Sequence, residues 1–121
     1  MERTEFDRLV GEALDGIPEE FARYLENVVV VIEEEPSPGL LRSLRLDPRR
    51  DTLYGLYQGT PLPARPHDFA ALPDRITIFA GPLLRHCPTP DALKRQVRST
   101  VVHEIAHFFG MDDHHIRRLG F

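Results

Sequence analysis

The sequence predicts an α+β fold, with a short sheet packed against one long helix near the C-terminal end. Three observations lead there. Leu93, Val97, Val101 and Ile105 recur every fourth residue, with Ala92, Val102, Ala106 and Phe109 widening the stripe, as in a helix buried against a sheet. Asn27 to Ile32 is an almost unbroken run of valines, whose β-branched side chains favour extended backbone. Arg75 to Ala80 alternates, with Ile76 and Ile78 on one face, the period of a strand.

The elements follow in order. Phe6, Leu9, Val10, Ala13 and Leu14 fall at helical spacing and predict an amphipathic helix ending near Gly16. Pro18 suits the first turn of a second, short helix with Phe21, Tyr24 and Leu25 inward. The valine run is long enough for a strand buried on both faces, closed by a turn over Glu33 to Gly39 with Pro36 and Pro38. Leu40 to Leu46 reads as a helical turn stopped by Pro48, Leu53 to Gln58 as a second strand, and Gly59 to Pro66 as a proline-rich loop. After the third strand, Gly81-Pro82 opens a turn or short helix through His86. Thr89-Pro90-Asp91 then starts the long helix with a hydroxyl cap, a proline at the first position and an acid in the first turn.

Composition narrows the function classes. The 121 residues fit one domain over 1–121, and 41% are hydrophobic, ordinary for a globular chain. A formal charge of −4 and a pI near 5.8 offer no basic excess for nucleic acid. No segment has the length or apolarity to cross a membrane, and the first ten residues lack the apolar run of a signal peptide. The lone cysteine, Cys87, rules out an internal disulfide, so a cytoplasmic location is expected.

Chemistry concentrates in His103-Glu104-Ile105-Ala106-His107-Phe108-Phe109-Gly110-Met111-Asp112-Asp113, which spells HExxHxxGxxD. Histidines four apart on a helix are separated by about 6 Å along the axis and rotated by only about 40°. Their rings therefore converge on one ion, and neutral imidazole is a good Zn²⁺ ligand. Glu104 lies beside that ion rather than on it, placed to take a proton from a metal-bound water. Gly110 suits a left-handed helix terminus, and a sharp turn there can return Asp113 as third ligand. Two imidazoles and one carboxylate leave a fourth position for water, as in a catalytic zinc site.

The same stretch, with the strand Asp74 to Phe79 and Gly81-Pro82-Leu83-Leu84, resembles the small bacterial zincin-like metallopeptidase family. Leu14-Asp15-Gly16-Ile17-Pro18 and Leu53 to Gly59 fit it too, so the resemblance covers nearly the whole chain, weakest over Pro36 to Asp51. It implies a minimal zincin-like fold, a short mixed sheet on the active-site helix, and zinc-dependent peptide hydrolysis. The motif is also similar to that of metzincins with an aspartate third ligand. Those enzymes continue to a methionine-containing turn beneath the metal, whereas Met111 lies inside the motif.

The expected site is therefore His103, His107 and Asp113 on Zn²⁺ with Glu104 as general base, acting on a peptide or protein substrate. An extended substrate is expected to pair with Leu53 to Gln58. Two other readings compete: a zinc-binding protein without peptidase activity, and an interaction module whose histidines only make hydrogen bonds. Among other polar residues, Asp113 could instead cap the short segment holding Ile116 and Leu119, and Asp112 is its adjacent competitor. His114, His115, His67 and His86 read as surface residues, Glu33 to Glu35 as a solvated run, Cys87 as a structural thiol, and Tyr54 or Tyr57 as a candidate oxyanion donor.

Overall fold

The computed structural model describes residues 1–59 and 73–121. Helix α1 (Arg3–Asp15), α2 (Glu19–Ala22) and a 3₁₀ turn (Arg23–Leu25) lead into strand β1 (Val28–Glu33). Helix α3 (Pro38–Ser43), β2 (Gly55–Gln58), β3 (Asp74–Phe79) and α4 (Ala80–His86) follow. The chain ends with the twenty-residue α5 (Pro90–Phe109) and α6 (Asp113–Arg118). The proline-rich loop expected to Pro66, and His67, fall beyond residue 59, outside the described residues.

The sheet is mixed, in the order β1-β3-β2. β1 pairs with β3 in parallel, from Val28 beside Asp74 to Glu33 beside Phe79. β2 pairs with β3 antiparallel, Gly55 opposite Ile78 and Tyr57 opposite Ile76. The architecture is the expected α+β one, a short mixed sheet on a long helix.

One strand assignment needs correcting. The valine run does not form a strand buried on both faces: β1 lies at a sheet edge and Val29 is 46% exposed. The central strand is β3, where Ile76, Thr77, Ile78 and Phe79 are all buried. Composition alone does not separate the two, because β-branched residues suit an edge as well as a centre.

The core forms where the apolar side of α1 meets α5 and the sheet. Phe6, Leu9, Val10 and Ala13 from α1 join Leu93, Val97, Val101 and Ile105 from α5, with Ile76 and Ile78 from β3. Every one of these is at most 3% exposed, and each large aliphatic side chain buried this way is worth about 1.5–3 kcal/mol relative to exposure. Phe109, expected to widen the stripe, is 44% exposed instead and lies against Tyr24, ring centroids 4.7 Å apart. As the last helical residue it has run past the cover that α1 provides. Pro18 sits one residue before α2 as its N-cap, and α4 begins at Ala80.

Helix α3 ends in an unusual way. Leu46 N–H returns to Leu41 C=O at 2.8 Å and Arg45 N–H to Arg42 C=O at 3.0 Å, the bonds of a left-handed helix terminus. Such a terminus favours glycine, yet Arg45 occupies it with φ 62°, at a steric cost of about 1–2 kcal/mol. Both Leu44 and Leu46 flank that turn. Among the described residues, no helix is long and apolar enough to cross a membrane.

Candidate metal centre on helix α5

Helix α5 begins and ends as its sequence dictates. Thr89 Oγ1 accepts from Ala92 N–H at 3.1 Å, and Pro90 takes the first position. At the far end Gly110 adopts φ 69°, ψ 35°, and Met111 N–H reaches Ala106 C=O at 2.8 Å. Between these caps His103 is half-buried and His107 exposed, on the same side of the helix one turn apart. Among the described residues neither ring has a hydrogen-bond partner.

Glu104 is held by the sheet. Its Oε1 accepts the backbone N–H of Tyr57 at 2.9 Å, a bond from the middle of β2 to the C-terminal half of α5. Burial pushes the Glu104 carboxyl above its ordinary range, opposed by the Tyr57 N–H and by the nearby His107 and His103. A carboxylate lifted this way is better matched to accepting a proton near neutral pH.

Two glycines allow this contact. A Cβ on Gly55 would lie 2.9 Å from Thr100 Cγ2, and one on Gly59 would lie 2.6 Å from Phe108 Cζ. Gly55, Tyr57 and Gly59 thus meet Thr100, Glu104 and Phe108 in turn. Four helical residues advance about 6.0 Å and two strand residues about 6.6–6.8 Å, so the two rows stay in step over this length. Sequence reasoning misses this seam, though its signal is present: G-x-Y-x-G over β2 and the residue after it, and T-x-x-x-E-x-x-x-F in α5.

Tyr57 ties the seam to the rest of the sheet. Its hydroxyl donates to Asp74 Oδ2 at 2.7 Å, and its ring lies on Phe108 with centroids 4.2 Å apart. The hydroxyl considered as an oxyanion donor is therefore engaged with Asp74. The Tyr54 hydroxyl is 3.0 Å from His86 Nδ1. β2 is an edge strand, but its outward N–H at Tyr57 belongs to Glu104, which limits how an extended peptide can pair there.

The remaining candidates are dispersed. Asp112 caps α6, its Oδ1 accepting from His114 N–H at 2.9 Å. Asp113 is the exposed first residue of that helix, without a hydrogen bond or ion pair among the described residues. No three His, Cys, Asp or Glu side chains converge as a metal-binding group among the described residues, so the structure does not gather Asp113 with the histidine pair. His115 Nε2 lies 2.5 Å from Glu20 Oε2. Cys87 is 8% exposed and burial raises its thiol, the opposite of an activated nucleophile.

Residues 25–121 match the family described as zincin-like metallopeptidase. The chain belongs to that family. Its fold is similar to a conserved hypothetical protein from Thermo thermophilus, with 25% identity and a TM-score of 0.56 over 90% of this chain and 94% of the other. No curated protein matches the chain.

Zincin-like membership raises the question of whether this chain's residues suit a zinc ion. The two imidazoles do. They sit one turn apart beside a carboxylate anchored from behind, and nothing among the described residues competes for their ring nitrogens.

Proposed function

We propose that the chain is a zinc-dependent metallopeptidase in which His103, His107 and Asp113 hold Zn²⁺ and Glu104 is the general base. The observation that carries this reading is the placement of Glu104 beside two imidazoles that have no hydrogen-bond partner among the described residues, fixed through Oε1 to the Tyr57 N–H at 2.9 Å. The ion, when bound, supplies Lewis acidity, which acidifies water and polarises a carbonyl oxygen.

The protein's own groups do the rest. Tyr57 N–H occupies one Glu104 oxygen and leaves the second to accept the proton of the attacking water. Burial, by raising the carboxyl, strengthens its hold on that proton. Glu104 then passes it to the leaving amine, whose departure completes hydrolysis of the peptide bond. Tyr57, itself held by Asp74, keeps the carboxylate in one orientation during both transfers. Asp113, without a partner among the described residues, supports this reading: Gly110 turns the chain after the histidines, and Asp112 takes the capping work that would otherwise occupy Asp113.

Replacing Glu104 by Gln tests the role directly. The amide oxygen still accepts from Tyr57, so fold and zinc content should persist while hydrolysis of a mixed peptide library disappears. Retained turnover would overturn the assignment. A second reading, zinc binding without hydrolysis, is favoured by the separation of Asp113 from the histidine pair. A zinc-loaded wild type that cleaves no member of the library would select it.

A further inference from the structure

A cleft of about 500 Å³ opens beside Glu104 and His107, within the range of about 300–1,000 Å³ common for ligand sites. Among the described residues its other lining side chains are Leu44, Leu46, Leu53, Leu56, Tyr57 and Phe108. We infer that this cleft is a subsite for a bulky apolar side chain of a peptide substrate, selecting leucine- or phenylalanine-sized groups over charged ones. The inference rests on the metallopeptidase reading.

The wall is a product of this chain's local structure. The left-handed turn at Arg45 brings the chain out of α3 with Leu44 and Leu46 on the cleft. Leu53 and Leu56 arrive from the other side, on the approach to β2 and in it. None of the four leucines is fully buried. Leu44 and Phe108 remain 38% and 46% exposed, so the fold leaves apolar surface open beside its candidate catalytic group.

The lining also defines what is refused. Among the described residues it contains no arginine or lysine, and its ionisable side chains at the site are those of Glu104 and His107. An acidic side chain would lose its water against the leucines and find no arginine or lysine among the described residues to compensate it. A neutral polar side chain would lose its water against leucines without gaining a hydrogen bond. Among the described residues a lysine would find only Glu104 to pair with, whose oxygens the reaction uses. An aliphatic or aromatic group loses nothing and covers the leucines.

The test is a titration of the full-length, zinc-supplemented Glu104→Gln protein, in which turnover is blocked, followed through its leucine methyl resonances. The probes are three capped hexapeptides of alanine carrying one leucine, one aspartate or one lysine. The leucine peptide is expected to bind at least tenfold more tightly than the other two and to shift the Leu44 and Leu46 methyls. Adding Leu44→Asp, at an exposed position, should weaken it at least tenfold with zinc content unchanged. Equal affinity for the three peptides, no binding, shifts confined to other leucines, or an unaffected Leu44→Asp variant would overturn the subsite. Zinc content and library cleavage are scored separately. Leucine-selective binding to a protein that holds no zinc would support the subsite and overturn the metallopeptidase, and an active zinc enzyme indifferent to leucine would do the reverse.

Discussion

Alanine at Gly55 probes the seam that fixes Glu104. The added methyl would lie 2.9 Å from Thr100 Cγ2 and 3.1 Å from the Thr77 carbonyl oxygen. The second contact is backbone of the central strand, so relief has to come from α5. Overpacking of this kind costs about 1–3 kcal/mol, while Gly→Ala returns about 0.4–1 kcal/mol through the unfolded chain. The net loss is about 1–2 kcal/mol, taking the middle of both ranges. At roughly 3–6 °C per kcal/mol for a chain of this length, Tm should fall by roughly 3–12 °C. The same displacement lengthens the Tyr57 N–H to Glu104 bond, so the Tyr57 amide should exchange faster with solvent in the variant. Thr100→Ser removes the offending methyl, and combining it with Gly55→Ala should recover part of the lost Tm. A double-mutant cycle read by thermal denaturation and amide exchange isolates that coupling. Additive losses, with no recovery in the double variant, would refute the close packing of α5 on β2.

Other consequences are more local. Ile105→Ala empties a fully buried position in the core beneath the motif and should cost about 2–5 kcal/mol in urea unfolding; a loss below about 1 kcal/mol would contradict that packing. Glu104→Gln should cut peptide hydrolysis by roughly 10²–10⁴-fold without loss of zinc, measured by turnover and metal analysis on one preparation. The bidentate partner Arg85 lowers the Glu35 carboxyl through hydrogen bonds of 2.7 and 3.0 Å. A lowered folded-state value means that stability is present above the unfolded value and lost as pH falls through the folded one. The Tm advantage of wild type over Glu35→Gln should therefore shrink as pH is taken below 4.5, and an advantage that widens in acid would reverse the sign of this linkage.

Much of the fold was legible because its signals are local. Thr89-Pro90 and Gly110 bound α5 through capping chemistry that needs no tertiary information. The stripe of Leu93, Val97, Val101 and Ile105 announced burial through its period alone. The rank of the strands was not legible: the valine run and β3 have similar local preferences, and only pairing order decides which is central. Phe109 misled for a related reason, since periodicity marks a face but not where the cover over that face stops.

At the site, the histidine pair and Glu104 could be read from spacing, whereas the anchor of Glu104 could not. A backbone N–H carries no residue identity, so Tyr57 as its donor emerges only when β2 is laid along α5. The glycines at 55 and 59 were visible but uninterpretable until Thr100 and Phe108 stood opposite them. Leu44 and Leu46 read as the end of a helical turn, and their place beside His107 depends on the left-handed conformation of Arg45, which its side chain does not advertise.

The most direct measurement is the metal content of the purified native protein by inductively coupled plasma mass spectrometry, with His107→Ala prepared in parallel. Near-stoichiometric zinc in the wild type that disappears in the variant is the predicted result. A folded wild type that takes up no zinc after incubation with the ion would contradict the metal centre and the peptidase built on it.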